Sequence, residues 1–136
     1  MPPEAAVHIL YQAIFNSNGI GQKLWLIDGF PRTKKHVEAW VKGRMPLAQC
    51  VIYLTCPEDV LIQRILSRAS TSGRPDDAVP DLVKERVERN ISERDAMLSA
   101  LVEHDMPFVK IDGTQDVETV RRTMLDTFMV SVYYVT

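Results

Sequence analysis

A parallel α/β sheet with helices on both faces is the fold predicted for this 136-residue chain, and three observations predict it. Short apolar runs at 23–27, 50–56 and 107–112 alternate with longer stretches of helical periodicity. The runs show no clean in–out alternation, as expected of strands covered on both sides. Each connection is also long enough for the crossover helix that parallel pairing requires.

Taken in order, Pro2 and Pro3 suit a helix start, and Ala6, Ile9, Leu10, Ala13 and Ile14 recur at helical spacing. "NSNGIG" then breaks the chain. Lys23 to Ile27 reads as a buried strand ending at Asp28, and 33–43 as a helix ended by Gly43. "CVIYLTC", 50–56, is a second buried strand, rich in β-branched and aromatic residues. Pro57-Glu58-Asp59 opens a helix with Leu61, Ile62, Ile65 and Leu66 on one face. The polar segment 68–77 is a loop. A long helix from about Pro80 to His104 turns Val83, Val87, Ile91, Leu98 and Leu101 inward. "PFVKID", 107–112, is the third strand, and 116–129 a last helix with Val117, Val120, Met124 and Phe128 inward. The tail "VSVYYVT" has no assignment, and no internal repeat is present.

The composition, 46% hydrophobic and 25% charged, supports a folded core, with 1–136 forming one domain or a large part of one. A net charge of −2 gives no reason to expect nucleic acid as a partner. No apolar stretch reaches membrane-spanning length, so no membrane partner is expected. The N-terminal segment has no secretory signal pattern. Cys50 and Cys56 would lie about 20 Å apart in one strand, too far for a disulfide. As reduced core residues they fit a cytoplasmic location. Trp25 and Trp40 read as packing residues, and His8, His36 and His104 are too scattered for a metal site.

Ten of the sixteen cations are Arg, the side chain suited to forked recognition of phosphate. Ligands of parallel sheets sit beyond the carboxyl ends of the strands, where Asp28 stands. An acid ending four apolar residues matches the Walker-B arrangement, whose carboxylate helps hold Mg²⁺ on a nucleotide. The plainer alternative is turn chemistry, since Gly29 and a proline follow. Arg32, after that turn, can reach a phosphate or pair with Glu38. Arg64 and Arg68 project side by side from a helix flank. Arg74 sits in a Gly-Arg-Pro-Asp-Asp turn, and Arg86 lies early on the next helix. One anion could draw these together; otherwise they form a solvated face, as Arg89 and Arg94 do beside Glu85, Glu88 and Glu93.

In combination, "LIDGFPR", "CPEDVLIQRILSR", "TSGRPDD" and "KERVERN" resemble the nucleoside monophosphate kinases, specifically the short-lid adenylate kinase and UMP-CMP kinase group. The resemblance covers residues 3 to about 128 and implies a P-loop NTPase-like sheet. It implies transfer of the γ-phosphoryl of ATP, as its Mg²⁺ complex, to a nucleoside monophosphate such as AMP, CMP or UMP. It further implies that Asp28 orients the Mg²⁺ through water, that Gly29 belongs to the nucleotide site and that Arg32 grips the monophosphate. Arg64 and Arg68 would face the ATP phosphates or base, while Arg68, Arg74 and Arg86 would act on the transferring group. Residues 69–77, with Asp76 and Asp77, would form a short lid.

The departures from the family are informative. His36 stands where adenylate kinases usually have Gln and UMP-CMP kinases Asn, a position that reads the acceptor base. Ala69 replaces a glycine common in both. The family's first strand and its G-x-x-x-x-G-K loop have no counterpart; "NGIGQK" has the wrong spacing and precedes a strand. In the family's strand order, 2-3-1-4-5, the first strand separates the one ending at Asp28 from "CVIYLTC". Without it, buried strand edges lose partners at about 1 to 3 kcal/mol for each orphaned group. Either the sheet closes up differently, a partner chain lends the strand, or the chain is a truncated kinase, inactive alone, which is the expectation. The alternative is a non-catalytic degenerate kinase domain that binds a nucleotide or a partner.

Overall fold

The computed structural model describes residues 1–16 and 24–133. The described residues form α1 (Pro3–Asn16), α2 (Lys34–Lys42), β1 (Val51–Thr55), α3 (Glu58–Ser67), a 3₁₀ turn (Pro75–Ala78), α4 (Pro80–Glu103), β2 (Phe108–Asp112) and α5 (Val117–Tyr133). They divide into two compact units, each with its own interior. The protein is α/β, and the two strands among its described residues run parallel.

The first unit comprises residues 1–47 and 93–105. Helix α2 starts where Thr33, extended at φ −142° and ψ 162°, accepts the His36 backbone N–H on its side chain. It stops at Gly43, whose N–H returns to the Ala39 carbonyl. A Cβ on Gly43 would lie 3.2 Å from Val7 Cγ1, so the missing side chain lets α1 approach the end of α2. Ala6 and Val7 of α1, Val37 and Trp40 of α2, and Leu98 and Leu101 of α4 are buried. Trp40 is fully compatible with burial because its indole N–H donates to the Pro46 carbonyl at 2.8 Å. Of the expected stripe, Ala6 is buried and Leu10 and Ile14 are half-buried, while Ile9 and Ala13 are exposed.

The second unit comprises residues 48–92 and 106–136, described to 133. Strands β1 and β2 pair with Val51 opposite Phe108 and Thr55 opposite Asp112. The ladder ends in a 2.7 Å hydrogen bond from Gly113 N–H to the Thr55 carbonyl. Ile111 of β2 and Val83 and Val87 of α4 are buried. Leu61, Ile62, Ile65 and Leu66 of α3 are half-buried, the face that their spacing predicts. Helix α5 packs on β2. That contact covers one narrow stripe, so Val120 and Met124 are half-buried while Val117 and Phe128 are exposed, contrary to the sequence reading. The helix runs on through 130–133, part of the tail left unassigned; 134–136 lie outside the described residues.

The largest correction concerns the run before Asp28. Lys23 lies outside the described residues, as does the "NSNGIG" break from position 17 onward. Residues 24–28 form no strand, and Leu24, Trp25 and Leu26 are exposed, Leu26 by 92%. An isolated apolar segment gains nothing from extension without a neighbour to share its N–H and C=O groups. Among the described residues no ladder partner reaches this one. Trp25 is therefore not the packing residue that its apolar setting predicts.

Candidate functional site

Apart from Arg64, the site residues named from the sequence fall into two local constellations, one in each unit. The first is the turn "DGFPR", 28–32. Gly29 sits at φ +72°, a conformation that L side chains rarely adopt. A Cβ there would also meet Arg32 Nη2 at 3.0 Å. The Arg32 guanidinium folds back over the turn and donates Nε–H to the Gly29 carbonyl at 2.7 Å. That bond fixes the fork while leaving its Nη groups for another acceptor. Glu38, the alternative partner for Arg32, pairs instead with Lys34 at 3.8 Å. Asp28 is exposed.

His36 closes the turn from the first turn of α2. Its Nδ1 accepts the Arg32 backbone N–H at 3.2 Å, and its ring lies 5.1 Å from that of Phe30. Accepting at Nδ1 places the ring proton of the neutral imidazole on Nε2. Burial, and next the Arg32 charge, lower its pKa from the ordinary 6.5, so the ring is neutral at pH 7. It presents a single donor.

The second constellation gathers around Asp77, which the sequence places in the lid without a role of its own. Its side chain is fully buried in the 3₁₀ turn. Arg86 Nη2 donates to Oδ1 at 2.6 Å, and Arg68 Nε approaches Oδ2 at 3.6 Å. The Arg86 hydrogen bond holds the carboxyl below the ordinary 3.8 against burial, which pushes it up; Ser72 and the Arg68 charge add to the lowering. The backbone of 69–74 wraps the end of α3: Thr71 and Ser72 N–H both donate to the Arg68 carbonyl at 2.9 Å. Ser72 Oγ accepts the Arg74 N–H at 3.2 Å. Among the described residues no hydrogen bond or ion pair engages the exposed Arg74 side chain. Arg68 and Arg86 thus come together, and Arg74 belongs to the same loop.

Arg64 takes another course. Its Nη1 donates to the Gly113 carbonyl at 2.6 Å and its Nη2 to that of Thr114 at 3.4 Å. In this state it braces the turn after β2 rather than projecting beside Arg68. The same turn holds a feature missed at the sequence level. Asp112 accepts from Thr114 N–H, Thr114 Oγ1 and Gln115 Nε2 at 2.7 to 3.0 Å. These bonds, led by Gln115, depress its pKa from 3.8 to about 2. The signal was an acid followed by Gly-Thr at a strand end, a turn pattern too common to single out. A folded pKa below the unfolded one means stabilisation that is complete above about pH 4 and lost as pH falls through about 2. Asp112→Asn should therefore lower the melting temperature at pH 6 and leave it unchanged near pH 2, as a thermal melt at each pH will read. Arg89 and Arg94 sit in surface pairs with Glu85 and Asp95. Among the described residues no cluster of His, Cys, Asp or Glu is built to hold a metal by itself.

Comparison with known proteins places these residues in context. A family model described as an AAA domain matches residues 4–83, more than half of the chain. A uridylate kinase of Saccharomyces cerevisiae is 31% identical over 84 residues, 62% of this chain and 41% of that protein. An adenylate kinase of a Cyanothece species is 36% identical over 90 residues, 64% of this chain and 45% of that protein. UMP-CMP kinase 2 of Caenorhabditis elegans is 41% identical over 68 residues, 48% of this chain and 34% of that protein. The chain spans about half the length, or less, of these curated relatives.

Proposed function

We propose, from the premise that this chain belongs to the nucleoside monophosphate kinase family of AAA domains, that it carries the arginine-bearing side of a phosphoryl-transfer site. The reaction is transfer of the γ-phosphoryl of ATP to a nucleoside monophosphate, AMP, CMP or UMP. The observation that carries this reading is the pair Arg68 and Arg86 held on one buried carboxylate, with Arg74 unengaged in the same loop. Phosphoryl transfer needs positioned positive charge more than a nucleophile, and two guanidinium groups on one carboxylate leave a surplus of it, with Arg74 in the same loop adding to it. In this reading residues 69–77 form a lid within a kinase core domain, and Arg32, its Nε fixed on Gly29, offers its Nη groups to the acceptor's phosphate. Arg64, by pinning the turn after β2, shapes the base side.

Asp28 suits a magnesium ion that is held mainly by phosphates. It is a single exposed carboxylate, and Mg²⁺ characteristically takes one or two carboxylates and keeps several waters. When bound, the ion neutralises charge between the phosphates. The two free cysteines fit a reducing compartment such as the cytoplasm. Among the described residues no helix is long and apolar enough to cross a membrane.

These 136 residues contain no G-x-x-x-x-G-K loop, so the ATP phosphates have no backbone cradle within them. We expect the chain alone to release no ADP above background in a coupled assay with ATP, Mg²⁺ and AMP, CMP or UMP. Ordinary turnover would refute this. That absence also favours a second reading, a non-catalytic module that binds a nucleotide. A partner chain that lends a strand distinguishes the two if it restores ADP release when added.

A further inference from the structure

Asp77 is an acid where phosphate chemistry would least want one. A fully buried carboxylate beside an anion site repels the ligand, and a neutral side chain would hold a turn at lower desolvation cost. The geometry states what it does instead. Oδ1 receives Arg86 at 2.6 Å, and Oδ2, which has no hydrogen-bond partner, faces the Arg68 charge with Nε at 3.6 Å. Arg68 leaves the C-terminal end of α3 and Arg86 the second turn of α4, two elements joined by the loop 69–79. One carboxylate of the turn therefore holds Arg86 of α4 by a hydrogen bond and draws Arg68, at the end of α3, by its charge. Arg86 is 28% exposed and Arg68 57%, so both keep donors toward solvent.

We infer that Asp77 is a positioning residue, which assembles Arg68 and Arg86 into one phosphate-ready pair before any anion arrives. The inference rests on the reading of these arginines as a phosphate site. Two long side chains ordered in advance lose less rotamer freedom on binding, and that gain outweighs the repulsion from a carboxylate already neutralised by its partners.

The sign of the effect separates positioning from simple charge. With the 136-residue chain and inorganic tripolyphosphate as the probe, Asp77→Asn should weaken binding roughly tenfold, although it makes the site more positive. Asp76→Asn removes the same charge from an exposed neighbour and should tighten binding. Tighter binding by both variants would overturn the inference and leave Asp77 as a mere charge. Side-chain NMR of Arg86 gives a second readout that needs no ligand: hindered guanidinium rotation in the parent, freed in Asp77→Asn. If the asparagine variant does not fold, the parent alone decides, because free rotation of Arg86 there contradicts pre-assembly. A parent that binds no tripolyphosphate defeats the phosphate reading itself. Arg86 rotation then still reports whether Asp77 orders it.

Discussion

Arg86→Ala lowers the melting temperature by about 10 °C or more, measured by circular dichroism at pH 7. The alanine leaves the buried Asp77 carboxylate with Ser72 and the long, exposed Arg68 contact at 3.6 Å, neither of which replaces the lost charged hydrogen bond. A buried charge stripped of its hydrogen-bonding partner is among the few single changes with so large an effect. Arg89→Ala, three residues on, breaks a 2.6 Å pair with Glu85 in which both side chains are about two-thirds exposed. It should shift the melt by no more than about 2 °C, because such pairs are screened by water. The pH dependence has a definite sign. Arg86 holds the Asp77 pKa below the ordinary 3.8, so the stabilisation is complete above that value and disappears as pH falls below it. The gap between parent and Arg86→Ala should narrow on acidification. A gap that is constant with pH, or one no larger than that of Arg89→Ala, contradicts the role given to the pair.

Gly113→Val destabilises the second unit by about 1 to 3 kcal/mol in a urea titration, with little change in slope. A Cβ at this position would stand 3.0 Å from the Thr55 carbonyl oxygen, tighter than ordinary contacts, and the obstacle is backbone that cannot swing aside. The same residue's N–H closes the β1–β2 ladder, and its carbonyl receives Arg64. Pushing it away loosens both at once. Gly73→Val is the useful contrast, since nothing lies within 4 Å of its Cβ and only its φ of +65° resists. Equal stability of parent and Gly113→Val would show that the turn after β2 yields freely.

The helices were legible because their signals are local. Gly43 after α2, Pro57 before α3 and the Val83–Val87–Leu98–Leu101 face of α4 all announce themselves within a few residues. Strands β1 and β2 were legible for a related reason: their β-branched runs have each other as partners. The run 24–27 has the same composition and fails as a strand, because strand formation depends on a neighbour that no local pattern can reveal. At the site, the arginines of the loop could be named from spacing, but not their partners. Asp76 and Asp77 are adjacent and chemically identical, yet one is exposed and the other fully buried between two guanidinium groups. That difference comes from the 3₁₀ turn that Pro75 opens, and tertiary packing decides it. Arg64 was misjudged likewise: its helix spacing is beside Arg68, but two carbonyls after β2 claim it.

If arginines of these motifs grip nucleotide phosphate, nucleotide affinity must depend on Arg32, whose Nη groups are left for an acceptor. Titration calorimetry of AMP, CMP and UMP into the 136-residue chain should show at least one of them binding. Arg32→Ala should then weaken that binding by about tenfold to a hundredfold, the range expected for lost hydrogen bonds to a charged group. Arg94→Ala, which removes a surface partner of Asp95, should leave the affinity within about twofold. Equal losses in the two variants, or no loss in either, would contradict the account.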